Sequence, residues 1–192
     1  MKHIYTFLCL LLIGGVGQVG AFSEADLEKL KSTNECNKCD FSGANLGGAR
    51  LRGANLAEAN LTEADLTGAN FYRANLTNAY LTGANLYKAN LEVVNLTGAN
   101  LTGANLEDTN LQEASLAGVD LTKAYLEATD LTGANLTMAN LTGAFLEGTN
   151  LENADLTDAV LTDAKLMWVK NLNKAILCRT TMPDGTVNNS GC

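Results

Sequence analysis

Reactive side chains are scarce in this sequence. Its one histidine, His3, lies at the extreme N-terminus within an apolar leader. The body therefore has no imidazole to serve as general base for a serine or cysteine nucleophile, or as ligand of a catalytic zinc. Apart from Cys9 in the leader, the cysteines are Cys36, Cys39, Cys178 and Cys192. The C-x-x-C spacing of Cys36-Asn37-Lys38-Cys39 is that of a redox dithiol, but such motifs open a helix that lowers one thiol's pKa. This one runs directly into an apolar extended unit at Phe41. An even number of cysteines behind an export leader reads as disulfides. Carboxylates are the remaining chemistry, and the best candidate site is the file Glu107, Glu127 and Glu147, spaced 20 residues apart. Like charges in such a file invite a compensating Ca²⁺, a basic partner or simple salt screening. Carboxylates on an open convex surface lack the enclosing pocket that tunes a catalytic acid. No catalytic residue, metal site or cofactor is assigned, and an enzyme is not expected.

Composition narrows the class further. The 192 residues carry 13 Lys and Arg against 21 Asp and Glu, a net charge of −8, with a pI near 4.6. That balance opposes a phosphate-binding surface, so nucleic acid is excluded as a partner. Aromatic residues make up only 6% while apolar residues reach 46%, so leucine and alanine must supply the core. The length suits one domain with short appendages.

The appendages are legible at both ends. Lys2 precedes an apolar run from Ile4 to Ile13, which Gly14, Gly15 and Gly17 interrupt. The run is shorter than the roughly 20 apolar residues of a membrane span. Val19-Gly20-Ala21 fits a small-residue cleavage site, so residues 1–21 read as a signal peptide and Phe22 as the mature N-terminus. This places the protein in the periplasm or outside the cell, with no stable membrane insertion after cleavage. Residues 22–38 form an N-terminal cap that holds the start of the C-x-x-C pair, where Ser23 can cap a short helix carrying Leu27 and Leu30.

From Phe41 to Leu166 every fifth residue is Leu or Phe: 26 positions in succession, 24 of them Leu. Two residues earlier stands Ala in 20 of the 26 units, and between the two lies Asn or Asp in 19. A period of five fits no helix, because it would scatter the leucines around all faces. Alanine and leucine two apart share one face of a short extended segment, and units that cannot bury this face alone must stack. A longer period tells how. Thr62, Thr82, Thr102, Thr122, Thr142 and Thr162 recur every 20 residues, as do Glu107, Glu127 and Glu147, and the inward Thr109, Thr129 and Thr149. Four units per turn of a coil explains all three files.

The motif, as in Ala99-Asn100-Leu101-Thr102-Gly103, resembles the pentapeptide-repeat family over residues 39–166. The resemblance implies an all-β fold, a right-handed quadrilateral parallel β-helix with Leu and Ala inward. The whole solenoid, residues 39–177, would have about 6.5–7 coils, and at ~4.8 Å per layer some 6.5 of them make a rod of about 31 Å. On such a rod the cysteines lie at opposite ends, beyond the ~7 Å a disulfide tolerates. Of three pairings this leaves Cys36–Cys39 and Cys178–Cys192, the second closing the tail 178–192 in a loop worth about 3 kcal/mol. The leucine register slips by one after Leu166, near Met167, Trp168 and Val169. Trp168 is expected as a lid over the last coil, with a partner anchor as the other reading.

Three functions follow. The first is a non-enzymatic exported module that offers flat faces to an unidentified protein partner in the cell envelope, with Glu107, Glu127, Glu147 and Trp168 as the candidate interaction face. The second comes from the resemblance: some members mimic DNA and shield topoisomerases, a role that a signal peptide opposes. The third is binding of ice or another ordered surface by the threonine ladder.

Overall fold

The structure is a computed structural model that describes residues 22–192. The expected signal peptide, residues 1–21, lies outside the described residues.

One pentapeptide shows how the chain is held. Its five N–H groups each have a different acceptor. The N–H of Ala99 turns back to the carbonyl of Leu96 (2.9 Å), closing a β-turn, and that of Asn100 reaches Ala79 in the preceding layer (3.0 Å). Leu101 donates to Asp120 in the following layer (2.7 Å), and Gly103 to Thr122 (2.9 Å). The fifth donor, Thr102, finds the side-chain oxygen of Asn100 (2.9 Å). Four backbone acceptors and one Asx side chain thus satisfy the whole unit, as a packed backbone requires. The fold therefore explains the Asn/Asp at this position, which periodicity alone had left without a role.

The last residue of the unit also has a fixed conformation. Gly103 has φ +65°, and the same left-handed value recurs at non-glycine positions such as Glu63, Lys123 and Trp168. A positive φ at the third residue of a four-residue turn is the signature of a type II turn. It folds the chain sharply between extended pieces and throws the side chains of both central turn residues outward.

Parallel bridges join each unit to the one 20 residues on, from Glu35↔Asn55 to Asn150↔Lys170. Each layer is thus four pentapeptides, and Leu101 and Leu121 lie in consecutive layers. The leucine and alanine positions from Leu56 to Leu161 are buried almost without exception. The inward threonines are buried as well, and their hydroxyls donate to backbone carbonyls 23 residues back: Thr109 to Leu86 (2.9 Å), Thr129 to Leu106 (2.6 Å) and Thr149 to Leu126 (2.6 Å). These bonds offset the cost of placing a hydroxyl on an apolar axis.

Helix α1, Glu24–Thr33, closes the first layer. Ser23 accepts from the Asp26 N–H (3.2 Å) as N-cap, and Leu30 is buried against the core. Solenoid bonding begins before the first Leu-type unit. Cys36 takes the leucine place and donates to Asn55 (2.7 Å), while Cys39 takes the alanine place. Both are buried and joined by a disulfide. At the far end Cys178 is bonded to Cys192. The segment after it bends into β1 (Thr180–Thr181), paired antiparallel with β2 (Val187–Asn188). Thr181 and Pro183 still accept from Leu161 and Asp163 of the last full layer (2.8 and 3.0 Å).

Two expectations at this end need correction. Asn150↔Lys170 keeps the 20-residue spacing, and Asp155↔Ile176 is the first bridge at 21. The extra residue is therefore absorbed after Lys170, at the left-handed Asn171 and the 3-10 turn Leu172–Lys174. Met167 and Trp168 consequently occupy ordinary turn positions, which point outward. Trp168 is 79% exposed and is no lid. The core's end is covered instead by Leu177, Thr180 and the partly buried Leu166, Val169, Leu172 and Ala175.

Because Leu101 is fully buried in mid-rod, Leu101→Ala is expected to destabilise the protein by about 2–5 kcal/mol in urea unfolding followed by circular dichroism. A loss under about 0.5 kcal/mol would contradict an axial Leu101.

Candidate functional site

With the axis filled by buried leucine, alanine and threonine side chains, function must lie on the outer files. One corner departs most from the repeat's own rule. Glu107, Glu127 and Glu147 follow Leu106, Leu126 and Leu146, so they sit in successive layers as the first residue of the turn. The next position in that file is Met167, whose carbonyl accepts from Gly148 (3.2 Å), and Trp168 follows it over Gly148. The structure thus brings all four residues of the proposed face to one corner, in the order Glu107, Glu127, Glu147, Trp168.

Sequence reasoning missed the second half of this corner. Two residues before Glu127 and Glu147, where the Asx side chain belongs, stand Tyr125 and Phe145. They stack with centroids 5.0 Å apart and planes within 4°, a separation at which aromatic pairs attract. Tyr125 is 42% and Met167 56% exposed. The signal was present in the repeat: seven of the 26 units lack Asn or Asp at this place, and two consecutive layers of one face are aromatic.

The glutamates are half-buried rather than freely solvated. Oε2 of Glu127 and Oε2 of Glu147 are shielded from solvent and have no hydrogen-bond partner. Among the described residues none of the three glutamates forms an ion pair, although Lys165 ends the adjacent column. Burial raises the Glu127 carboxyl above its ordinary value. Its own backbone N–H opposes this, and the charges of Glu107 and Glu147 reinforce it. The opposite case lies on the neighbouring face. Burial works against the charge of Asp130 too, yet hydrogen bonds from Thr132, Gln112 and Asn150 together hold its carboxyl below the usual value.

The threonine ladder is only in part a free hydroxyl array. Thr122 donates to Asp120 (2.6 Å) while accepting from Asn140 (2.9 Å), and Thr142 donates to Asn140 (2.6 Å). The ladder's flanking column also holds the exposed Tyr80 and the half-buried Val160 among its amides and carboxylates. Another cluster, Asp26 with Cys36 and Cys39, brings potential ligand atoms within 4.8 Å of one another. Both its sulfurs are committed to the disulfide. Near the N-terminal end, Arg52 and Arg73 lie over the Tyr72 ring, at 4.3 and 5.1 Å from its centroid.

A model of the Pentapeptide repeats family matches in eight copies, over residues 39–78, 74–112, 99–138, 109–148 and 134–170. The chain belongs to the pentapeptide-repeat family. Among solved structures it is similar to HetL, a pentapeptide-repeat protein involved in heterocyst differentiation regulation in the cyanobacterium Nostoc sp. strain PCC 7120. Identity there is 32% over 80% of this chain and 83% of that one, with a TM-score of 0.38. It is also similar to QnrB1, a plasmid-mediated fluoroquinolone resistance protein, at 23% identity over 73% and 78% of the two chains with a TM-score of 0.52. A pentapeptide-repeat protein of the Arabidopsis thaliana thylakoid lumen is 28% identical over 69% and 72%, with a TM-score of 0.20. No curated protein matches the sequence. The likeness to QnrB1 supports the shared solenoid fold. The family's members are in general structural or interaction modules rather than enzymes.

The raised Glu127 carboxyl makes a pH prediction whose sign is fixed. A carboxyl that binds its proton more tightly when folded stabilises the fold as pH falls through its raised value, and withdraws that stability as pH rises. Glu127→Gln should therefore be more stable than wild type at neutral pH. The difference should shrink as pH falls toward the ordinary carboxylate range of about 4, measured by thermal unfolding across pH. Equal stability at neutral pH would show that the file is not strained.

Proposed function

We propose that this pentapeptide-repeat protein is a non-enzymatic, exported interaction module. Its rod is a right-handed quadrilateral β-helix of about 6.5–7 coils, and it presents a rigid face to a protein partner in the cell envelope. The observation that carries this reading is the pair of disulfides, one at each end of the solenoid. Disulfides persist in oxidising compartments, and here they fasten the terminal layers, whose unpaired strand groups otherwise invite edge-to-edge assembly. Export also agrees with the leader at residues 1–21. Among the described residues no helix is long and apolar enough to cross a membrane.

An interaction module rather than an enzyme follows from where the side chains go. The leucine, alanine and inward threonine positions of the repeat are consumed by the axis, and the titratable groups stand on the outer files. Outer files held on a backbone whose N–H groups are paired between layers lower the ordering cost of association. QnrB1 acts in fluoroquinolone resistance. At 23% identity that likeness carries fold and not function, and the disulfides favour a compartment apart from chromosomal DNA.

The test is expression of the full chain in a bacterial host, followed by fractionation, N-terminal sequencing and thiol counting. The expected product begins at Phe22, leaves the cytoplasm and has no free thiol. A cytoplasmic product that retains Met1 and four reactive body thiols would overturn the export reading.

A further inference from the structure

We propose that the corner formed by Tyr125, Phe145, Met167 and Trp168 together with Glu107, Glu127 and Glu147 docks a cationic protein segment, whose arginine or lysine side chains enter the glutamate file while its apolar side chains lie on the aromatic strip. This deepens the interaction-module reading by naming the chemistry of the partner, and it does not depend on export.

Three observations converge on it. The first is unmet charge. Two glutamate oxygens, Oε2 of Glu127 and of Glu147, are shielded from solvent without a hydrogen-bond partner, and no cation of the described chain pairs with the file. An orphaned charged acceptor costs more than a hydrogen bond returns. An arginine fork supplies several donors in one plane and stacks on aromatic faces.

The second is the surrounding charge. Residues 91–163 carry twelve carboxylates and a single cation, Lys123, and the layer that holds Met167 and Trp168 adds Lys165 and Lys170. The field over these layers attracts a positive partner and repels an acidic one.

The third is the apolar border. The stacked Tyr125–Phe145 pair lines one side of the acidic file, with Lys165 next in its column, and the outward Met167 and Trp168 stand at the file's C-terminal end. Tyrosine, tryptophan and methionine are enriched where proteins bind proteins, and aromatic faces attract cations. These residues are not what the fold prefers. Tyr125 and Phe145 surrender the Asx acceptor that most units keep, and Trp168 occupies a left-handed turn position with φ +55°, where a bulky side chain is disfavoured. Local rules broken together on one face mark a functional surface.

Trp168 is the chain's single tryptophan, so its fluorescence reports this corner directly. The mature protein is titrated with an acetylated eight-residue peptide of alternating arginine and leucine, at roughly physiological ionic strength. The glutamate–leucine counterpart serves as control. The proposal expects a saturable change in Trp168 emission with the basic peptide only. Affinity should fall about tenfold in Glu127→Gln/Glu147→Gln, and again in Tyr125→Asn/Phe145→Asn. The latter restores the repeat's own asparagines and so keeps the fold, as circular dichroism would verify. Three results would each overturn the proposal: no saturable response, binding of the acidic peptide as well, or basic-peptide binding that both double variants leave unchanged. The last would reduce the effect to bulk attraction by an acidic rod. Concentration-dependent dimerisation abolished by Tyr125→Asn/Phe145→Asn, seen by sedimentation, would overturn it too, by assigning the corner to a second copy. None of these outcomes bears on where the protein resides, which the fractionation experiment decides separately.

Discussion

The solenoid rests on a donor count. A pentapeptide brings five N–H groups into a layer, and backbone geometry offers acceptors for four. The fifth is met by the side chain of the residue before leucine, as Asn100 does for Thr102 and Asp120 for Thr122. Leucine burial supplies the driving force, but it is non-directional and would accept many compact arrangements. Complete pairing of a tight turn is directional, and it selects the square layer from among them. The same turn explains why the residue after the threonine position is so often glycine, since the left-handed conformation strains other residues.

This division of labour decides what the sequence could disclose. The axis was legible because leucine at every fifth place and alanine two before it are near invariant along the chain. The layer length was legible because Thr109, Thr129 and Thr149 interrupt that monotony at regular intervals. Their hydroxyls reach backward to the carbonyls of Leu86, Leu106 and Leu126, a contact no spacing rule would name. The amide column was visible as composition, while its hydrogen bond belongs to three-dimensional geometry.

The C-terminal end was read less well, for a physical reason. An aromatic residue near a break in periodicity suggests burial, yet Trp168 lies before the break, on a turn whose backbone aims it outward. Side-chain hydrophobicity was overruled by backbone direction. The candidate face was half legible in the same sense. The glutamates announced themselves by recurrence, whereas Tyr125 and Phe145 were noticeable only as absences of asparagine. Only stacked layers reveal that these two departures and the glutamates share a corner. The half-burial of the file was equally hidden, since neighbouring layers create it.

The repeating layer makes the rod a screw with a countable thread. Removing 20 residues from its middle would shorten it by one layer and leave every remaining file aligned, because each unit would meet the same neighbours above and below. Removing five would leave the axis just as leucine-rich, yet would rotate everything downstream by a quarter turn. With those five taken from before Tyr125, the residues Tyr125, Phe145 and Lys165 would together continue a different side of the rod from the one they now share with Asn105. A chain of this kind can lengthen or contract by whole layers without redesign, while a change of a single unit rewrites which chemistries meet on its surface.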